Sequence, residues 1–258
     1  MRFGLITLLV LAGWWPVTDV LAGLPDTIEK IRPSIVGIAT YQATRAQPLV
    51  LQGTGFVVAD GRHVVTNYHV ISNKLDIAKK EHLVVLIGHG SRGRRYRLKK
   101  VALDPNHDLA LLSFAGPVQP ALRINQSKLV REGERYAFTG YPIAPILGLY
   151  PVTHRAIISA LTPMVAPTNN SKVLTGKQIL KLRTHSYNVY QLDANAYPGN
   201  SGSPVYDPVT GGVIAILNSV YVKAYRENAL IHPSGISYAI PAKYIQALIV
   251  QAKLKLSE

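Results

Sequence analysis

Cysteine is absent from this 258-residue sequence. Disulfides and thiolate metal sites are thereby excluded, and any exported form is held together by packing alone. Charge is scarce as well. Asp, Glu, Lys and Arg make up 16% of the residues, where about a quarter is usual. Hydrophobic residues reach 48%, so the chain can bury a core and does not have the composition of a disordered segment. After the first residues, no apolar run approaches the roughly 20 residues that a membrane-spanning helix needs. Acidic residues are the scarcest class of charge. With 28 Lys and Arg against 14 Asp and Glu, the net charge is +14. Such a balance favours anionic partners, whether a membrane surface, a cell-wall polymer or a nucleic acid. Zinc-finger, RRM and KH patterns are missing, so no specific nucleic-acid partner is expected. No internal repeat is visible.

The N-terminus reads as a secretory signal. Arg2 supplies a short positive start, Leu5 to Leu11 an apolar core, and Val20-Leu21-Ala22 a small-residue cleavage site. Residues 1–22 are expected to be removed, and the mature chain to begin near Gly23 and be exported to the periplasm or beyond the cell. Pro25, Asp26 and Glu29 then predict a short helix over 24–31, which Pro33 stops. Apolar runs predict strands at 34–41, 49–60, 62–66, 82–88 and 94–103, and another beginning at Leu109. Asp60-Gly61 is a hairpin turn signal. A linker is expected over 116–132. A second set of strands follows at 134–140, 151–161, 187–192, 203–207, 212–221 and 235–240, with a long loop over 162–186. Pro241 opens a basic amphipathic helix reaching 256. The densest cationic run holds Arg92, Arg94, Arg95, Arg97, Lys99 and Lys100, and on a strand Arg95, Arg97 and Lys99 share one face.

The most informative stretch is Asp193 to Asp207, DANAYPGNSGSPVYD. Ser201 lies between Gly199-Asn200 and Gly202-Ser203. Glycines there permit a tight turn and close approach of a substrate carbonyl. A serine hydroxyl is a weak nucleophile unless a base takes its proton, so a histidine and a carboxylate must come from elsewhere. His69 stands just past a predicted strand end. Asp108 directly precedes the apolar run Leu109-Ala110-Leu111-Leu112. His107 and Asp104 are the competing pair, while His63, His82 and His89 read as satisfied surface or core residues.

His, Asp and Ser in that order on a strand-rich chain resemble the chymotrypsin-fold serine peptidases. The resemblance is closest to HtrA/Deg-type proteases. GTGFVVADGRHVVTNYHVI is similar to that group's histidine motif, DPNHDLALL to its aspartate motif and QLDANAYPGNSGSP to its serine motif. The implied fold is all-β, with two Greek-key antiparallel barrels over 23–120 and 133–240, a short N-terminal helix and a C-terminal helix over 241–256. In catalysis, the resemblance implies His69 as general base, Asp108 as its orienting acid and Ser201 as nucleophile. It also implies an oxyanion hole from the N–H groups of Gly199 and Ser201. Asn195 is expected at the base of the primary specificity pocket, with Leu217 and Asn218 on its wall strand. No metal or cofactor is implied, and the partner is a protein or peptide substrate. HtrA proteins carry PDZ domains after the protease domain, whereas this chain ends at Glu258. Asn195 offers no counter-charge for Lys or Arg, so small or medium apolar residues are expected before the cut. A catalytically silent peptide binder is the alternative, because Pro198 adjoins the oxyanion turn.

Overall fold

The computed structural model describes residues 23–88, 90, 93–125, 130–142, 148–164, 187–218 and 235–257. The expected signal peptide, His89, Arg92, residues 165–186 of the expected loop, and the strand residues expected at 219–221 lie outside the described residues.

Val and Ile dominate the apolar runs, and their branched side chains suit a pleated surface packed on both faces. The first six runs form β1 (Ile35–Tyr41), β2 (Leu49–Val58), β3 (His63–Asn67), β4 (His82–Ile87), β5 (Arg94–Asp104) and β6 (Leu109–Phe114). They close into an antiparallel barrel in the order β1-β2-β3-β6-β5-β4. The second set is β7 (Arg135–Gly140), β8 (Val152–Met164), β9 (Tyr187–Leu192), β10 (Pro204–Tyr206), β11 (Val213–Asn218) and β12 (Ser237–Pro241). It closes in the order β7-β8-β9-β12-β11-β10. The two barrels therefore share one connectivity, although the sequence shows no repeat. The all-β, double-barrel architecture is the expected one, and closure leaves no unpaired edge strand among the described residues. Three helices accompany it among the described residues: α1 (Leu24–Ile31), α2 (Tyr68–Ile71) and α3 (Ala242–Gln251).

Strand alternation explains why these runs are apolar throughout. On β2, Val57 faces its own barrel interior with Val36 and Leu112, while Phe56 and Val58 face outward into a second cluster. That second cluster joins Leu109 and Leu111 of the first barrel to Val213 and Ile216 of the second, with Ile245 and Leu248 of α3 laid across them. The stretch read as a linker is zipped to both halves. Leu122 N–H donates to Val57 O at 2.9 Å, and Asn125 N–H to Val213 O at 2.9 Å.

Two boundaries differ from expectation by more than two residues. Thr162–Met164 continue β8, paired with Val189 to Tyr187, where the loop was expected to begin. The C-terminal helix ends at Gln251 and not at 256. Lys253 takes a left-handed φ of 58°. Its N–H donates to Val250 O at 2.9 Å and that of Leu254 to Ile249 O at 3.2 Å, which satisfies the last helical carbonyls. The chain then folds back, so that Leu254 and Leu256 join the shared core.

His154 on β8 stacks on Phe138 at 4.9 Å between ring centroids, and its Nε2 is buried without a hydrogen-bond partner among the described residues. Burial pushes its pKa below the usual 6.5. The fold thus favours the neutral ring. The stability linked to it is fully present above pH 6.5 and is lost as pH falls through the folded-state value. Denaturant titrations at pH 7.5 and pH 5.5 are expected to show a smaller loss in His154→Phe than in the parent. An identical loss would clear His154 of any part in acid sensitivity.

Candidate active site

His69 is presented by α2, the single turn that follows β3. Asp108 sits across from it, at the end of the turn between β5 and β6, with a left-handed φ of 52°. Its backbone carbonyl accepts from Tyr68 N–H at 3.0 Å and from Asn67 Nδ2 at 3.1 Å. Its carboxylate grips His69 twice, with Oδ1 accepting the backbone N–H at 2.8 Å and Oδ2 lying 2.6 Å from ring Nδ1. An ionised carboxylate can only accept, so Nδ1 carries the proton and Nε2 is left as the acceptor. The competing pair is a separate couple, since Asp104 Oδ2 lies 2.6 Å from His107 Nδ1. His63 pairs with Asp60, and His82 rests against Tyr41, so neither approaches the Asp108 couple.

Ser201 belongs to the second barrel's sequence but is held by the first. Thr54 on β2 provides the clasp. Its N–H donates to Ser201 O at 2.8 Å and its Oγ1 to Gly199 O at 2.7 Å. The same Oγ1 accepts Tyr141 N–H at 2.9 Å, and Thr54 O accepts from Thr66 Oγ1 at 2.7 Å. Gly53 next to it leaves no room for a side chain. A Cβ there would meet Val70 at 2.8 Å and Ser201 O at 2.9 Å, which places Ser201 against the residue that follows His69.

The loop before Ser201 is a defined turn. Asn200 N–H donates to Tyr197 O at 3.0 Å, with Pro198 and Gly199 between them. Proline fixes a negative φ, and Gly199 has φ +100°, so the turn is of type II. Proline is favoured at the first central position of that turn, so Pro198 sets the loop and does not distort it. The Gly199 carbonyl is spent on Thr54, whereas its N–H enters no hydrogen bond among the described residues. Asn200, beside Ser201, is fully buried.

The three residues expected around the specificity pocket divide. Asn195 is half-buried, with Oδ1 buried and without a hydrogen-bond partner among the described residues. Leu217 points into the core of the second barrel beside Phe138 and Leu192, and its backbone is taken up by Gly202 N–H and Ser203 O. Strand alternation therefore removes its side chain from the expected wall. Asn218 points the other way and donates Nδ2 to Asp108 Oδ2 at 2.6 Å. Expected to meet substrate, it instead steadies the carboxylate that grips His69. Through Leu217 and Asn218 the Ser201 loop and the His69–Asp108 couple are mechanically joined. Thr54 was not singled out from the sequence, and its only signal is its place between Gly53 and Gly55. Among the described residues, no three His, Asp or Glu side chains are grouped to hold a metal.

Comparison with known proteins agrees with this geometry. Residues 53–216 match the family described as trypsin-like peptidase domain. Serine protease HTRA1A of Danio rerio is 29% identical over 233 residues, covering 89% of this chain and 41% of that protein. Serine protease HTRA2, mitochondrial, of Drosophila pseudoobscura pseudoobscura is 29% identical over 237 residues, covering 92% of this chain and 47% of the relative. The chain thus spans less than half the length of these relatives. With the match running from the Thr54 clasp through His69, Asp108 and Ser201 to β11, the chain belongs to the trypsin-like peptidase domain family.

Proposed function

We propose that this protein is an exported serine endopeptidase that cleaves unfolded or extended protein chains. The observation that carries the reading is the His69–Asp108–Asn218 couple, tied to the Ser201 loop through Thr54 and β11. In the proposed cycle His69 Nε2 takes the Ser201 proton as Oγ attacks the scissile carbonyl, and it later returns that proton to the leaving amine. The oxyanion is received by the N–H groups of Gly199 and Ser201, and the acyl-enzyme is released by water. Hydrolysis at a seam between two closed barrels suits a substrate main chain that can lie extended. Asn195, being uncharged, favours apolar over basic residues before the cut. A serine-reactive phosphonate together with denatured protein substrates tests the reading: labelling at Ser201 with turnover supports it, and neither in the full chain sinks it. Export rests on residues 2–22, and the secreted form is expected to begin at Gly23 when its N-terminus is sequenced.

The basic strand favours a second property beside catalysis. Arg95, Arg97 and Lys99 are exposed on one face of β5, opposite the buried Leu98. None of the ion pairs among the described residues engages them. They are proposed to hold an anionic surface. Retention on anionic vesicles is expected to fall as salt shortens the screening length below about 10 Å. It is expected to disappear when all three are changed to Gln. Retention that ignores both salt and the triple change would remove this property.

A further inference from the structure

The turn that carries Asp108 is held from outside its own barrel. Asp104 opens the turn and binds His107 as Asp108 binds His69: one oxygen accepts the backbone N–H at 3.1 Å, the other lies 2.6 Å from Nδ1. The His107 ring is then stacked on Tyr244 of α3, with centroids 4.0 Å apart and planes at 21°. Tyr187, at the start of β9, meets the same ring edge-on at 4.7 Å, and the two tyrosines touch at 5.3 Å. The second barrel and α3 therefore grip the residue immediately before the triad acid.

This grip matters because Asp108 is a non-glycine residue in the left-handed region. Such a conformation persists only where its surroundings determine it. The turn's own backbone contributes little, since the Asp108 N–H to Pro105 O separation is a long 3.4 Å. A φ angle is measured against the preceding peptide plane. Pinning the His107 N–H and ring anchors the Cα from which that plane departs, and so limits the directions in which the Asp108 carboxylate can leave the chain.

We propose that Tyr244 and Tyr187, acting through His107, are positioning residues for Asp108, so that seating of α3 sets the orientation of the catalytic base. The proposal rests on the endopeptidase reading for its kinetic consequence but not for its structural one. The alternative is a plain tether between the barrels, which would change stability without touching the reaction.

The test uses the full chain. Tyr244→Ala is expected to lower kcat on the order of 10-fold with little change in KM, because a slight misplacement of an orienting group is felt in the reaction step. Tyr244→Phe keeps the ring and is expected to keep the rate. Added to Asp108→Asn, the Tyr244→Ala change is expected to cost nothing further, since the group it acts through is already gone. A second readout needs no turnover: the low-field NMR signal of the proton between His69 Nδ1 and Asp108 is expected to move in Tyr244→Ala and to stay in Tyr244→Phe. Should Tyr244→Ala fail to fold, His107→Gln removes the stack while leaving a donor for Asp104, and the same pattern is expected. An equal fractional loss in both backgrounds, or a lower Tm with kcat and the NMR signal unchanged, overturns the proposal. Absence of turnover in the parent would end the endopeptidase reading and leave the NMR signal to decide this one.

Discussion

Replacing Ser201 by Ala is expected to lower turnover on the order of 10⁶-fold, and His69→Ala to cost about as much. The two losses are similar because hydroxyl and imidazole act as one unit: without the base the hydroxyl keeps its proton, and without the hydroxyl the base has nothing to activate. The folded structure should survive Ser201→Ala. The loop is held by backbone groups, through Thr54 N–H to Ser201 O and Thr54 Oγ1 to Gly199 O, and none of these is lost with the hydroxyl. Binding of a peptide substrate should therefore persist while cleavage stops. Equal cleavage by parent and Ser201→Ala preparations would mean that the activity belongs to a contaminant or to another residue.

Asp108→Asn is expected to cost on the order of 10⁴-fold in turnover. At present Oδ2 receives two donors, His69 Nδ1–H and Asn218 Nδ2, both at 2.6 Å, and Oδ1 receives a third from His69 N–H. An amide offers one oxygen for these two positions. If its NH₂ takes the Oδ2 place, it faces two donors and drives the His69 proton to Nε2, where the ring can no longer accept from Ser201. If the NH₂ takes the Oδ1 place, it opposes the backbone N–H that seats α2. Either way the ring is in the wrong state or the wrong place. Asn218→Ala should be milder, since it removes one donor and leaves the tautomer intact. A loss below about 10-fold in Asp108→Asn would show that another group orients His69, and Asp104 would be the first to test.

Much of this site was legible because chemistry constrains residue type in a short window. Ser201 stands out through its glycines, and His69 and Asp108 through their places at the ends of apolar runs. The strands were legible from the number and length of those runs, and the two barrels only through the resemblance that the motifs carry. Their shared connectivity was not. Barrel closure asks for backbone pairing and inward-facing volume, which many unrelated sequences satisfy, so β1–β6 and β7–β12 need not resemble one another. Strand alternation announces that Leu217 and Asn218 face opposite ways, but which of them meets Asp108 depends on how two barrels dock. The same holds for His107: its neighbours Tyr187 and Tyr244 lie far along the chain and acquire meaning only once β9 and α3 are in place. The early end of α3 escaped notice because its left-handed residue is Lys253, where glycine is the usual marker.

On the proposed function, the Thr54 clasp also bears on when this protein could harm its neighbours. Synthesis delivers the imidazole and its carboxylate first, on the first barrel, and the hydroxyl much later. Until the later half docks, nothing holds residues 199 to 201 at the mouth of the earlier one. A nascent or wrongly assembled chain therefore carries every reactive group yet stays chemically silent, and correct assembly itself acts as the safety catch.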